Sequence, residues 1–229
     1  MSHSELVAFV EKWHGSMNED QAMAALANGS CPASVCQLIA QNGRLTAHYE
    51  VRLTLVRHRA TPQPQAMKFV HYLYWSDLVR LATDVRVHPA VRRAVEARLV
   101  GEISSRTPGE RIASAKICSR ALIRTFLLDP HPRVFQAILA NPRLPEEELL
   151  WFIDGENSTP EKLTAVAGDG KWSRRHSIRR ALAVHPRSPH AVAAAQLRHL
   201  SRRDLHNILL DPRTSVYVRR CIESLVEES

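Results

Sequence analysis

One short pattern recurs along the chain at intervals of about 42 residues, and this repeat constrains the fold more than any other feature. In each copy an apolar segment ends in an aspartate, and the start of a new apolar segment follows a few residues later. The aspartates are Asp84, Asp129, Asp169 and Asp211, spaced 45, 40 and 42 residues apart. Repeats of this length indicate stacked structural units that share one core, because a single unit cannot bury its own apolar face.

Proline marks the same period independently. Pro62, Pro108, Pro145 and Pro189 follow at spacings of 46, 37 and 44 residues, each after a polar loop. Proline is tolerated in the first turn of a helix, where its missing N–H has no intrahelical partner to lose. The two markers together predict five repeats, which span residues 18–60, 61–104, 105–144, 145–187 and 188–229.

Apolar residues recur with helical spacing throughout, so the sequence predicts an all-α fold in a single domain over residues 1–229. An additional helix over Ser4–Trp13 is expected to cap the array within residues 1–17. The clearest repeats predict three helices each, with Ser76 and Ser201 as N-caps of the middle ones. The expected helices are Gln63–Tyr74, Asp77–Thr83 and Ala90–Val100 in the second repeat, and Pro189–Leu200, Leu205–Leu210 and Ser215–Val226 in the fifth.

The pairing of a loop aspartate with a Val-Arg or Ile-Arg helix start resembles HEAT and armadillo repeats. The pairs are Asp84 with Arg92, Asp169 with Arg179, and Asp211 with Arg219, whereas Asp129 is followed by Val134-Phe135 without the arginine. Two loops, the Asn-Pro loop Ala140–Pro145 and the His-Pro loop Val184–Pro189, are also similar to those of the variant leucine-rich repeat group. This resemblance implies a right-handed α-solenoid of about five three-helix repeats. Because the aspartates and arginines occur once per repeat, we expect them to tie loops to helices rather than to catalyse a reaction.

The four cysteines, at positions 31, 36, 118 and 221, raise the question of a metal site. The resemblance to variant leucine-rich repeats implies that an iron–sulfur module can precede such arrays. Structural metal sites usually need four ligands with short spacings. Cys31 and Cys36 are separated by four residues, and the other two cysteines fall in distant helices with the pattern of small core residues. We therefore expect reduced thiols, no metal and no cofactor.

Catalytic signals are weak. His58, His88, His131 and His185 lie in successive loops, and we expect them to cap carbonyl groups at helix ends. Small basic HEAT-like arrays also include alkylpurine DNA glycosylases, in which an aspartate near tryptophans stabilises a cationic sugar. The nearest equivalent here is the segment Tyr72–Asp77. We interpret Tyr72 and Trp75 as core and Asp77 as part of a helix cap, so no catalytic residue is assigned and a binding protein is favoured over an enzyme.

The net charge of +8 comes almost entirely from one segment. Residues 171–203 contain nine Lys and Arg and no Asp or Glu, whereas the remaining residues carry 22 basic and 23 acidic groups. Such a patch attracts anionic partners. The predicted binding residues are Trp172, as an exposed apolar anchor, together with Arg174, Arg175, Arg180, Arg198, Arg202 and Arg203.

The sequence therefore predicts a non-enzymatic helical-repeat protein that recognises an acidic protein segment through a basic concave face. The alternative is binding to the phosphate backbone of DNA or RNA, related to the glycosylases above; the low aromatic content, 6%, argues against stacking on single strands. No run of apolar residues reaches the roughly 18 needed to span a bilayer, so no membrane partner is expected. The first residues lack the pattern of a secretion signal, and a cytoplasmic location is expected.

Overall fold

The structure, a computed structural model, describes residues 3–13, 15–28 and 31–227. These residues form helices joined by turns and contain no β-strand, so the predicted all-α class is confirmed. Within the same residues, no helix combines the length and the apolar character needed to cross a bilayer.

The chain forms two compact units, unit 1 (Met1–Arg106) and unit 2 (Thr107–Ser229). The boundary between them falls within two residues of the predicted junction between the second and third repeats.

In unit 1 some helices pack against the helix two places along the chain, α1 on α3, α2 on α4 and α5 on α7, and others against the next helix, α4 on α5 and α6 on α7. A buried core includes Leu26, Val35, Ile39, Val51 and Leu55. Short 3-10 helices, Leu45–Ala47 and Ile103–Ser105, precede α4 and follow α7. The helices are α1 (His3–Trp13), α2 (Glu19–Ala27), α3 (Ala33–Gln41), α4 (Tyr49–Arg57), α5 (Gln63–Val70), α6 (Trp75–Leu81) and α7 (Pro89–Glu102).

Unit 2 shows the same two kinds of packing, with α8 on α10, α9 on α11, α11 on α13, α13 on α15 and α14 on α16, and with α13 against the next helix, α14. Phe126, Phe135 and Phe152 are almost fully buried and provide its largest core side chains beside Trp172. The helices are α8 (Pro108–Ile117), α9 (Ile123–Leu127), α10 (Pro132–Leu139), α11 (Glu146–Asp154), α12 (Pro160–Gly168), α13 (His176–Val184), α14 (His190–Leu197), α15 (Arg202–Leu210) and α16 (Val216–Glu227).

Helix starts follow the sequence signals in most places. Ser201 caps α15 through a capping box with Asp204, as predicted. Pro108 occupies the first turn of α8, but Pro62, Pro145 and Pro189 are themselves the N-cap residues of α5, α11 and α14. The prediction for Ser76 is wrong, because α6 already begins at Trp75 and Ser76 lies inside the helix.

The repeated aspartates form the same local turn in each loop. The Oδ1 atoms of Asp84, Asp129, Asp169 and Asp211 each accept a hydrogen bond from the backbone N–H two residues ahead, at 2.8–3.0 Å. Asn141 makes the same bond at 2.8 Å. This local bond explains why Asp or Asn recurs there, since both side chains stabilise turns in this way.

The arginine partners of these aspartates differ from the prediction. Asp84 pairs with Arg86 at 2.7 Å rather than with Arg92. Arg219 donates instead to carbonyl groups at the end of α15, including Asp211 O at 2.8 Å. Arg179 likewise donates to Ser173 O at 2.7 Å. These arginines are structural, as expected, but they satisfy main-chain carbonyls near helix ends rather than the aspartates.

The loop histidines also act as turn residues. Nδ1 of His58, His88, His131 and His185 accepts a hydrogen bond from the backbone N–H two residues ahead, at 3.1–3.2 Å. The expectation that they cap carbonyls is therefore wrong, because this nitrogen is an acceptor. The histidines nevertheless have a structural role, because these hydrogen bonds stabilise the loop turns.

Candidate functional site

The basic segment 171–203 is organised by a contact between two helix starts. Nε2 of His176, the first residue of α13, lies 3.0 Å from Oδ2 of Asp204 in the first turn of α15. The two helices also pack against each other. Arg174 and Arg175 directly precede His176, and Arg202 and Arg203 directly precede Asp204. These four residues, which we call the arginine cluster, therefore lie on neighbouring helix ends.

The arginine cluster is exposed, and most of it has no acidic partner. Arg175 makes a long contact with Glu146, at 3.8 Å. Among the described residues, Arg174, Arg202 and Arg203 form no ion pair with Asp or Glu. Asp204 is already bonded to Ser201 and to His176, which together lower the pKa of its carboxyl to about 2. The cluster thus carries positive charge that nearby acids neutralise only in part.

Arg180 and Arg198 lie in different surroundings. Arg180 lines an open cleft of about 250 Å³ together with Asp154, Asp211 and Arg213, so this cleft has mixed charge. Arg198 and His199 line a shallow cleft of about 450 Å³ along α14, whose other walls are the alanines Ala191, Ala194 and Ala195. Arg198 is also without an ion pair in the described part of the chain.

The predicted role of Trp172 as an exposed anchor is wrong. Its side chain is only 2% exposed, and its indole Nε1 donates to Leu139 O at 2.9 Å. Lys171 Nζ lies over the indole ring, 4.0 Å from its centroid. Trp172 is therefore part of the core of unit 2, because the apolar indole is covered by α10 and the neighbouring lysine.

The segment Tyr72–Asp77 forms a small surface network in unit 1. Tyr49 stacks on Tyr74 at a centroid distance of 4.3 Å, and its hydroxyl donates to Asp77 Oδ2 at 2.6 Å. Arg80 approaches the other carboxylate oxygen at 3.6 Å. Tyr72 is 63% exposed, so its assignment to the core is wrong. Asp77 is held by two protein groups, which leaves it poorly placed for the catalytic role considered above.

A group of three polar side chains, two cysteines and one histidine, lies in the core of unit 1. Cys31 precedes α3, Cys36 lies in the first turn of α3, and His58 is the residue that ends α4. The Cys31 and Cys36 sulfurs are 3.7 Å apart, and Cys36 Sγ is 3.4 Å from His58 Nδ1. All three ligand atoms lie within 4.8 Å of one another, and both cysteines are buried.

The spacing of Cys31 and Cys36 raised the question of a metal site, but His58 was not predicted as their neighbour. His58 had the pattern of the other loop histidines, and its separation from Cys36 by 22 residues offered no signal. His58 also lines an open cleft of about 390 Å³ with Leu26, Thr54, Arg59 and Arg86. The histidine thus connects the buried thiols with the protein surface.

The three groups shift one another's proton affinities. A hydrogen bond from the Cys31 thiol, with a smaller effect of His58, lowers the pKa of Cys36 to about 5. The same bond raises the pKa of Cys31, and the contact with Cys36 raises the pKa of His58 above its usual value. The lowered pKa favours the thiolate form of Cys36, which is the form of cysteine that binds metals.

The chain matches no protein-family model, no curated protein and no solved structure.

Proposed function

We propose that this chain is a non-enzymatic helical-repeat protein that binds an acidic protein segment through the arginine cluster. The observation that carries the proposal is the His176–Asp204 contact, which brings Arg174, Arg175, Arg202 and Arg203 to neighbouring helix ends. As part of the same proposal, the chain forms a right-handed solenoid of HEAT-like repeats with a basic concave face. The packing of several helices on the second one after them, in both units, supports that architecture.

The chemistry of the cluster suits carboxylates. A guanidinium group offers a planar fork of donors that matches a carboxylate in two-point contact. The starts of α13 and α15 add the positive end of each helix dipole. Because the unpaired arginines are exposed, a partner can interact with their guanidinium groups without first breaking an internal ion pair. Arg198 would extend the surface along α14, whereas Trp172 has no part in it because it is buried.

The proposal is tested with a fluorescent peptide rich in Asp and Glu, by anisotropy at low salt. We expect R202Q/R203Q to weaken binding at least about tenfold, the effect of losing roughly 1.4 kcal/mol. The control R59Q/R133Q removes the same charge at exposed positions outside the cluster and should weaken binding much less. Equal losses in both variants, or no measurable binding by the native chain, would refute recognition by the cluster.

Nucleic-acid binding is the alternative, because the same unpaired guanidinium groups also suit phosphate. Random-sequence duplex DNA at about 50 mM salt distinguishes the two, since phosphate neutralisation produces a steep linear fall of log affinity with log salt. Undetectable duplex binding excludes this alternative. A related glycosylase activity would release an alkylated base and depend on Asp77; an unchanged rate in D77N would remove that assignment.

A further inference from the structure

The separations among Cys31, Cys36 and His58 fit a metal site, with the three candidate ligand atoms within 4.8 Å of one another. A tetrahedral zinc ion with Zn–S bonds of about 2.3 Å and a Zn–N bond of about 2.0–2.1 Å places two sulfurs about 3.8 Å apart and a sulfur about 3.6 Å from nitrogen. The observed separations are 3.7 Å between the sulfurs and 3.4 Å between Cys36 Sγ and His58 Nδ1. Two edges of the tetrahedron are therefore already present.

We propose that Cys31, Cys36 and His58 bind one Zn²⁺ ion in unit 1, with the fourth position open to water or an external ligand. Two thiolates and one imidazole form a donor set suited to zinc. The group contains no fourth Cys, His, Asp or Glu among the described residues. Three protein ligands and an open position distinguish this arrangement from a closed four-ligand structural site.

The surroundings of the two thiols favour binding of a metal ion over two alternative roles, a disulfide bond and a catalytic nucleophile. The sulfurs are 3.7 Å apart, well beyond the disulfide bond length of about 2.05 Å, and both cysteines are free. Cys36 is 0% exposed, so a substrate cannot reach its sulfur for nucleophilic attack. A single ion is small enough to enter beside His58, which lines the cleft of about 390 Å³.

Coordination changes the protonation and bonding of the three residues in a defined way. Cys36 binds as the thiolate, Cys31 loses its proton to solvent, and His58 binds as the neutral imidazole. Nδ1 of His58 also accepts a hydrogen bond from Ala60 N at 3.2 Å, and the bond to zinc replaces it. His131 makes the same turn bond without a thiol neighbour, so it separates the turn role from the ligand role.

The test measures Zn²⁺ and Co²⁺ binding to the reduced, chelator-treated full-length chain. We expect one equivalent of zinc, and Co²⁺ spectra with sulfur-to-metal charge-transfer bands and intense tetrahedral d–d bands. C31S, C36S and H58N should each weaken binding by more than about 100-fold, beyond the loss typical of an outer-shell change. The controls C118S/C221S and H131N should bind like the native chain. Substoichiometric zinc, or native affinity in C36S, would overturn the proposal.

A measurement on the native chain covers the case in which a variant does not fold. Zinc should slow alkylation of Cys31 and Cys36 but not of Cys118 and Cys221, as mapped by mass spectrometry of peptides. Equal rates with and without zinc at all four cysteines contradict the site. A mass two hydrogens lower in the untreated chain, with no zinc binding after reduction, would instead show that the pair is only a redox dithiol.

Discussion

Cys36 Sγ lies 3.4 Å from Nδ1 of His58 and 3.7 Å from Cys31 Sγ, so one buried sulfur faces a thiol and an imidazole together. The hydrogen bond from Cys31 is the larger cause of the low pKa of Cys36, and His58 is the smaller one. Each of the two neighbours can be removed separately, which allows their effects to be compared.

The pKa of Cys36, about 5 in the metal-free chain, should rise most when the Cys31 donor is lost. C31A removes that donor, whereas C31S keeps a hydroxyl in its place and should preserve more of the low pKa. H58N should produce a smaller rise than C31A. Thiolate absorbance in the ultraviolet, followed against pH and corrected with C36S, measures all three. A larger rise in H58N than in C31A would reverse the order of the two effects.

Acid should destabilise unit 2 through His185. Its Nδ1 accepts from Arg187 N and its Nε2 lies 2.9 Å from Ser158 Oγ, so the folded structure holds the neutral ring. Burial lowers the pKa of His185 below its usual value of 6.5. The unfolded chain therefore takes up a proton first, and the free energy of unfolding should fall as pH decreases through about 6.5.

The matched variant for this effect is H185N, because Asn141 already makes the same turn bond. Urea unfolding at several pH values should show a smaller acid loss for H185N than for the native chain. A native chain whose stability rises on acidification through this range, relative to H185N, would contradict the sign of the shift.

We expect Lys162 to contribute to stability mainly through its apolar stem. Its Nζ donates to Leu127 O at 2.9 Å and lies 5.0 and 5.1 Å from the ring centroids of Phe135 and Phe152. Burial lowers the pKa of Lys162, which means that the charge is disfavoured there. We expect K162A to lower the free energy of unfolding by about 2–3 kcal/mol, and K162M by about 1 kcal/mol, the cost of the unpaired Leu127 carbonyl. Equal losses of unfolding free energy in K162A and K162M, measured by urea unfolding, would show that the hydrogen bond of the ammonium group contributes more than the apolar stem.

Trp172 should matter for stability and not for binding. W172A should lower the free energy of unfolding by about 3–5 kcal/mol because it leaves a large cavity. W172F should cost less, about 1–3 kcal/mol, mostly from the unpaired Leu139 carbonyl. W172F should bind the acidic peptide like the native chain, as measured by anisotropy. A loss of affinity in a folded W172F would restore the anchor role that burial argues against.

The sequence by itself determined the features that depend on neighbours a few residues apart. Helical spacing, the Ser201 cap and the recurrent turns at Asp84, Asp129, Asp169 and Asp211 all rest on bonds between residues separated by two to four positions. Such bonds join residues that are close in sequence, so the residue pattern alone indicates them. The sequence alone also shows that the net positive charge is concentrated in residues 171–203.

Only the tertiary structure decided which helix covers which side chain. The buried Trp172 donates to the carbonyl of Leu139, 33 residues earlier, and Cys36 contacts His58 at a separation of 22 residues. The His176–Asp204 contact likewise joins two helix starts that are 28 residues apart. Apolar spacing shows that a helix has a face to bury, but it does not show which neighbour buries it. That choice depends on packing between helices, which acts over distances in space that the order of residues does not record.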